Sequence, residues 1–170
     1  IDHYDGGYKA GEYFKRLGHK KALCISDNYI CMDKERIDGF CKAFAPGETV
    51  IWQIPNTKKE RVQFYKDKFL ELSMLGITGV FAVSDYYALD FMQFLQGRGV
   101  RIPKDLQIIG MDDSMASRES IPALTTIHQD ADLRAKTAIE CIEDMREGRD
   151  FGTRIVLPVK LIKRESTRKL

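Results

Sequence analysis

The chain of 170 residues is 44% hydrophobic and 31% charged, and its 27 basic and 25 acidic residues leave a net charge of +2. This length and apolar content predict one domain with a substantial core and exclude an intrinsically disordered segment. No apolar run is long enough to cross a membrane, and the balanced charge is not typical of a nucleic-acid surface. We interpret the basic run at 58–61 as a solvated helix start.

None of the cysteines forms a C-x-x-C motif or has a histidine at the spacing of a metal ligand. The four cysteines are Cys24, Cys31, Cys41 and Cys141. Cys24 lies in an apolar run, and Cys41 and Cys141 lie on apolar helix faces. This pattern predicts buried free thiols in a reducing cytosol. We therefore expect no metal and no cofactor. The first residue is Ile1 rather than Met, and no signal peptide follows it. This start is typical of a cytoplasmic chain cut from within a longer one.

Apolar spacing predicts helices that alternate with short strands along the whole chain. The helices are expected at 7–17, 33–44, 58–75, 84–97 and 132–148. The strands are expected at 21–25, 49–54, 79–83, 106–111, 124–127 and 155–162. Asp33 and the Ser84-Asp85 pair are the expected helix caps. Strands joined by helices of this length predict an α/β fold built on a doubly wound parallel sheet.

Motifs of the common nucleotide-binding and hydrolytic sites are absent from the sequence. There is no P-loop and no nucleophile elbow, and the glycines at 97 and 99 end a helix rather than opening one. Asp112 and Asp113 form a carboxylate pair, but neighbours at a strand end point to opposite sides. We therefore predict that the chain is not an enzyme, with a sugar-modifying enzyme as the weaker alternative.

Ligands of such sheets gather at the carboxyl ends of the strands, where this sequence has Ser26-Asp27, Ser84-Asp85 and Asp112-Asp113. Two residues near these ends suit a hydroxylated ligand. Asp112 offers a bidentate acceptor for sugar or ribose hydroxyls, and Arg36 can donate a fork of hydrogen bonds. For Arg36 the alternative is a surface ion pair with Asp33 or Glu35. For Asp112 the alternative is a helix cap over 114–117.

Six motifs, in order, resemble those of one family of bacterial regulators. The chain's Asp-Gly-Gly-Tyr-Lys-Ala-Gly from position 5, followed by Leu-Gly-His-Lys-Lys from position 17, is similar to the family's D-x-x-G-x-x-A…L-x-x-x-G-H-x-x-I, and its Gly-Val-Arg-Ile-Pro…Gly-Met-Asp-Asp over 99–113 is similar to G-x-x-V-P-x-D-x-x-I-x-G-x-D-D. The other four patterns are R-x-x-G-F-x-x-A over 36–43, S-D-x-x-A over 84–88, P-x-L-T-T-I over 122–127 and R-x-S-T over 164–167. Their order and spacing hold across nearly the whole chain. The sequence is therefore similar to the lactose/galactose-repressor (LacI-type) transcriptional regulators.

This resemblance implies a periplasmic-binding-protein-like (type I) fold, of which the chain holds the C-terminal subdomain. It implies a sugar or nucleoside effector between two subdomains, with Arg36, Ser84 and Asp112 as ligand contacts. It implies a homodimer with contacts at Leu89 and Ile121. Operator DNA would bind through an N-terminal helix-turn-helix head that this chain lacks. A sugar-binding protein of an uptake system, which shares the fold, is the alternative.

The resemblance also implies how the chain divides and where it departs from the family. The expected parts are the end of the N-terminal subdomain at 1–17, the C-terminal subdomain at 18–128, a helix of the N-terminal subdomain at 129–150, and the last strand and tail at 151–170. We expect the apolar stripe of helix 132–148 to pack against helix 7–17, a neighbouring chain, or both. The family often has glycine where this chain has Asp90, so helix packing or pairing is expected to differ there.

Overall fold

The computed structural model describes residues 1–150, 152 and 154–169. Its strands are β1 Lys21–Ser26, β2 Glu48–Gln53, β3 Gly79–Ala82, β4 Gln107–Asp112, β5 Thr125–Gln129 and β6 Val159–Ile162. Its helices are α1 His3–Arg16, α2 Cys31–Phe44, α3 Lys58–Met74, α4 Asp85–Gln96, α5 Met115–Glu119 and α6 Ala131–Arg146. The strands form one sheet in the order β2-β1-β3-β4-β5-β6.

The predicted α/β fold with helices on both faces of the sheet is confirmed, with one correction. Strands β1 to β5 are parallel, whereas β6 runs antiparallel to β5. The chain enters β6 at Val159, opposite Gln129 at the carboxyl end of β5, so β6 must run back along it. The predicted strand 155–162 therefore begins only at Val159. The predicted segment 151–170 includes positions 151, 153 and 170, which lie outside the described residues.

Alternate strand residues build two cores, one on each face of the sheet. On one face α1 and α2 pack their aromatic side chains, including Phe14 and Phe40, against Phe81 of β3. On the other face α3 and α4 pack Tyr65 and Phe91 over the apolar strand residues. This layering leaves the carboxyl ends of β1, β3 and β4 together at one edge of the sheet, where ligands gather in such folds.

Helix starts follow the available caps and differ from the predictions in two places. The helix predicted from position 7 begins at His3, because the carboxylate of Asp2 accepts a hydrogen bond of 2.8 Å from the Asp5 amide. The predicted cap Asp33 is wrong: α2 begins at Cys31 without a side-chain cap. The predicted cap Ser84 is confirmed at the start of α4.

Three glycines bring the backbones of α1 and α2 into direct contact. A Cβ atom added at Gly7 would lie 1.7 Å from the carbonyl oxygen of Arg36, and one at Gly11 would lie 2.4 Å from that of Phe40. From the other helix, a Cβ at Gly39 would lie 2.1 Å from the Tyr4 carbonyl oxygen. No side chain larger than hydrogen is accommodated at these positions, and the crossing fixes the backbone that carries Arg36.

Gly7→Ala is therefore expected to lower the free energy of unfolding by roughly 1–3 kcal/mol, because the two helices must separate. Urea denaturation followed by circular dichroism measures this change. Gly97→Ala is the matched control, since Gly97 has a helical φ of −64° and its added Cβ would approach nothing closer than 3.5 Å. Equal losses in the two variants would contradict the close-approach argument.

Helix α6 does not pack as we predicted. None of its residues is buried, and Ile139, Ile142 and Met145 are more than half exposed. Helix α1 does not cover this stripe, because Ala10 and Phe14 of α1 are buried in the core formed with α2 and the sheet. The predicted packing of these two helices on each other is wrong, and packing of α6 on a neighbouring chain stays a prediction. The division into subdomains also stays a prediction, although α1 belongs to the core of the described sheet.

The cysteines are less buried than predicted. Cys24 in β1 is buried, but Cys31 is exposed and Cys41 and Cys141 are half-buried. Cys31 is the first residue of α2, Cys41 packs at the margin of the core, and α6 has no buried residue. Burial raises the pKa of the Cys24 thiol, which keeps it protonated and unreactive. Across the described residues, no helix is long and apolar enough to cross a membrane.

Candidate functional site

The predicted ligand residues lie at the carboxyl edge of the sheet. Ser84 lies two residues after the end of β3, and Asp112 is the last residue of the neighbouring strand β4. Arg36 reaches the same edge from α2, since its Nη1 donates a hydrogen bond of 2.7 Å to the carbonyl oxygen of Val83. The fold thus brings together three residues that are far apart in sequence.

The guanidinium of Arg36 is fixed by its own protein. Arg36 is 8% exposed, and besides Val83 it contacts Asp33 Oδ1 at 3.4 Å and His3 Nδ1 at 3.2 Å. The alternative of a surface ion pair is therefore corrected: Arg36 does pair with Asp33, but both side chains are mostly buried at the edge of the sheet. A charge held in this way offers a ligand a preorganised donor.

The carboxylate of Asp112 faces solvent at the strand end yet is poorly hydrated. The surrounding protein raises its pKa to about 6, and the neighbouring Asp85 carboxylate adds to this, while Arg36 opposes it. Gln129 Nε2 donates a hydrogen bond of 2.7 Å to Asp112 Oδ1. The backbone of Asp112 has a φ of 135°, a conformation that non-glycine residues adopt at a cost and that clusters at functional sites.

The helix-cap alternative for Asp112 is wrong. The cap of α5 is Ser114, whose hydroxyl accepts from the Ser117 amide at 3.3 Å. Ser114 is in turn held by Asp85, which accepts hydrogen bonds of 2.8 Å and 3.0 Å from its amide and hydroxyl. Asp85 is 1% exposed and therefore acts as a positioning residue for this edge.

Asp113 has a different environment from its neighbour. Its carboxylate binds Arg164, Arg118 at 3.0 Å and His128 at 2.9 Å. Burial opposes ionisation, but the hydrogen bonds from these three residues outweigh it and lower the pKa of Asp113. Asp112 and Asp113 thus bind separate partners, in keeping with the prediction that they do not share a proton.

Ser84 is half-buried and caps α4, with its hydroxyl oxygen 3.4 Å from the Tyr87 amide nitrogen. A capping hydroxyl accepts through oxygen and can still donate its own proton to a ligand. This edge of the sheet therefore offers a ligand two kinds of hydrogen-bond donor, the guanidinium of Arg36 and the hydroxyl of Ser84. It also offers one acceptor, the carboxylate of Asp112.

Sequence reasoning did not assign Asp33 or Tyr87 to this edge. Asp33 accepts a hydrogen bond of 2.8 Å from Ser26 Oγ, and burial raises its pKa although Ser26 and Arg36 oppose the rise. Tyr87 lies near Asp27, and burial with this carboxylate raises its pKa to about 12. Asp27 directly follows β1 and was expected at this edge from the sequence. Asp33 and Tyr87 lie inside helices, where spacing gives no such expectation.

A cavity of about 630 Å³ opens beside this edge, between α4 and α5. Its lining includes Asp112, Tyr86, Leu89 and Ile121. Leu89 is half-buried, whereas Ile121 is 85% exposed. The two residues predicted as dimer contacts therefore share one largely apolar surface.

The model of the family described as periplasmic binding protein-like domain matches residues 12–167. The chain belongs to this periplasmic binding protein-like domain family. The resemblance to LacI-type regulators is also confirmed by individual proteins. The chain is 29% identical over 172 residues to the HTH-type transcriptional repressor PurR of Vibrio cholerae, covering 98% of this chain and 51% of the repressor. It thus spans about half the length of the curated relatives it matches.

Two solved structures share the fold of this periplasmic binding protein-like domain. A LacI family transcriptional regulator from Enterococcus faecium with bound ribose is 29% identical, with a TM-score of 0.84 over 100% of this chain and 64% of that one. A dimeric Lac repressor with an 11-residue C-terminal deletion is 26% identical, with a TM-score of 0.83 over 98% of this chain and 62% of that one. These similarities confirm the predicted periplasmic-binding-protein-like fold.

Proposed function

We propose that the chain is the effector-binding and dimerisation region of a LacI-type, cytoplasmic transcriptional regulator. The effector is a sugar or nucleoside, and operator DNA binds through a head outside this chain. The observation that carries the proposal is the placement of Arg36, Ser84 and Asp112 at one edge of the sheet. The similarity to a repressor favours regulation over uptake or catalysis.

The charges at this edge favour an uncharged effector. Asp27, Asp33, Asp85 and Asp112 face one another closely enough to influence neighbouring pKa values, while Arg36 is engaged with Asp33 and Val83. Carboxylates accept hydrogen bonds from hydroxyls but repel phosphates. The ribose held by the similar Enterococcus faecium regulator is an uncharged sugar of this kind.

A ligand panel tests this proposal directly. Because the proposed effector lies between two subdomains and the chain holds one of them, the chain alone should bind it weakly or not at all. Isothermal calorimetry of a longer protein that contains this chain and an N-terminal subdomain, with free pentoses, disaccharides, nucleosides and their phosphorylated forms, should show binding to an uncharged member and none to its phosphate. Asp112→Asn or Arg36→Gln should weaken that binding by roughly 2–5 kcal/mol, since a buried polar ligand group loses a charged partner.

Asp105→Asn is the matched control, because Asp105 lies in the loop that enters β4, at the opposite edge, and pairs with exposed Arg101. It should bind the same ligand with unchanged affinity. A panel without any binder, or an Asp112→Asn variant that binds like wild type, would contradict the proposed site.

The second part of the proposal is a homodimer through α4 and α5. A contiguous apolar surface that includes a nearly fully exposed isoleucine is typical of a protein contact. Ile121→Asp should raise the dimer dissociation constant more than tenfold, measured by sedimentation velocity, because a charge would be buried at the contact. Met74→Asp is the control, since Met74 is 83% exposed on α3, away from this surface. Equal effects of both changes would exclude this surface as the interface.

A further inference from the structure

The basic run at the start of α3 contains one residue that is not solvated. Arg61 is 0% exposed, so its interpretation as part of a solvated helix start is wrong. Its Nε donates a hydrogen bond of 2.9 Å to Asp90 Oδ2 in α4. Asp90 is also within 3.4 Å of the Tyr65 hydroxyl, which can donate to the same oxygen. The charge at Asp90 thus has a buried partner, which explains how the helices tolerate it.

The other donors of Arg61 tie two more segments together. Its Nη1 donates a hydrogen bond of 2.6 Å to the carbonyl oxygen of Asn56, in the loop after β2. Its Nη2 donates one of 2.8 Å to the hydroxyl of Tyr86 on α4. The guanidinium carbon also lies 5.1 Å from the ring centre of Tyr86 and 5.4 Å from that of Tyr87, within cation–π range.

These two tyrosines point to different surfaces. Tyr87 is half-buried in the first turn of α4, where its amide donates a hydrogen bond of 3.4 Å to the hydroxyl of Ser84 at the ligand edge. Tyr86 is 60% exposed and lines the cavity that Leu89 and Ile121 share. One guanidinium therefore contacts a side chain at the ligand edge and a side chain at the proposed dimer surface.

Stability alone does not account for this arrangement. Replacing a buried ion pair by apolar side chains of similar volume is often neutral or stabilising, because both charges lose their hydration when buried. The hydrogen bonds to Tyr86 and to the Asn56 carbonyl fix directions, which apolar packing would not. The feature that distinguishes Arg61 is thus the set of groups it orients.

We propose that Arg61 is a positioning residue that orients Tyr86 and Tyr87 on α4 and so sets the geometry of the dimer surface from the ligand edge. The inference rests on the dimer surface of the proposed function. It assigns to the Arg61–Asp90 pair a role in association rather than in folding alone.

Three variants of the chain test this role. Arg61→Met should lower the melting temperature and raise the dimer dissociation constant about tenfold in sedimentation velocity. The double variant Arg61→Met/Asp90→Leu should recover the melting temperature, because no unpaired charge remains, but not the dimer affinity. Tyr86→Phe keeps the ring and removes only the hydroxyl that Arg61 binds. It should weaken the dimer about threefold at an unchanged melting temperature, and it carries the test if Arg61→Met does not fold.

Recovery of both quantities in the double variant would overturn the proposal, because the pair would then be structural only. An unchanged dissociation constant in Tyr86→Phe, or in a folded Arg61→Met, would overturn it as well. Wild-type chain that stays monomeric at every concentration would instead refute the proposed dimer, and this inference with it. A wild-type dimer with indifferent variants would refute the inference alone.

Discussion

Arg164→Met is expected to lower the free energy of unfolding by roughly 1–3 kcal/mol, because the Asp113 carboxylate loses its most buried partner and the Leu124 carbonyl oxygen loses its donor. The side chains of Arg164 and Asp113 are only 16% and 6% exposed. Arg164 also donates a hydrogen bond of 2.9 Å to the carbonyl oxygen of Leu124, which ties the C-terminal tail to the start of β5. Guanidinium denaturation followed by tryptophan fluorescence of Trp52 measures the change.

Arg118→Met is the matched control for this prediction. Arg118 binds the same carboxylate at 3.0 Å, but its side chain is 57% exposed, so water competes for the pair. A loss of about 0–1 kcal/mol is expected, as for other exposed ion pairs. Similar losses in the two variants would show that burial does not decide the strength of these contacts.

Acidification from pH 7 to 4 is expected to remove about 3 kcal/mol of stability through His19 alone. His19 is 7% exposed, its ring lies 4.7 Å from that of Phe14, and its Nδ1 is 2.7 Å from Thr78 Oγ1. Within the described residues its Nε2 is buried without a hydrogen-bond partner. Burial, aided by the charge of Arg168, lowers the pKa of His19 from 6.5 to about 4.

The sign follows from which state binds the proton. Between pH 6.5 and about 4, His19 binds a proton in the unfolded chain but not in the folded chain. The stability that depends on neutral His19 is therefore fully present above pH 6.5 and is lost as the pH falls toward 4. Asp33 and Asp112 act in the opposite direction, because their pKa values are raised in the folded state. The contribution of His19 is therefore measured by comparing how the free energy of unfolding changes with pH in wild type and in His19→Gln. Parallel profiles would contradict it.

Local signals in the sequence were enough to predict most of the fold. Strand β1 and helix α4 appear as apolar periodicity, and the cap at Ser84 follows from one residue and its neighbours. The direction of β6 could not be predicted in this way, because it depends on where the chain returns to the sheet. The start of α1 was missed because its cap, Asp2, lies well before Ala10, the first apolar residue of the helical pattern.

The site was predictable in part, for a similar physical reason. Asp112 stands out because it ends an apolar strand, and Arg36 was found through a motif rather than through spacing. Arg61 and Asp90 lie on two different helices and are 29 positions apart in sequence. The apolar periodicity of a single helix therefore cannot predict that they form a buried pair. Charged residues in a basic run suggest hydration, and only the tertiary structure shows which of them is enclosed.

The backbone at the end of β4 has a consequence for laboratory evolution of this chain. Asp112 and Asp113 both have positive φ values, 135° and 58°, and such residues cost roughly 1–3 kcal/mol each. Glycine adopts these angles without that cost. Selection for heat resistance alone should therefore enrich glycine at Asp112, whose carboxylate contributes little to the core, and the survivors should lose ligand response. A change at this one residue would then raise thermal stability at the expense of ligand binding.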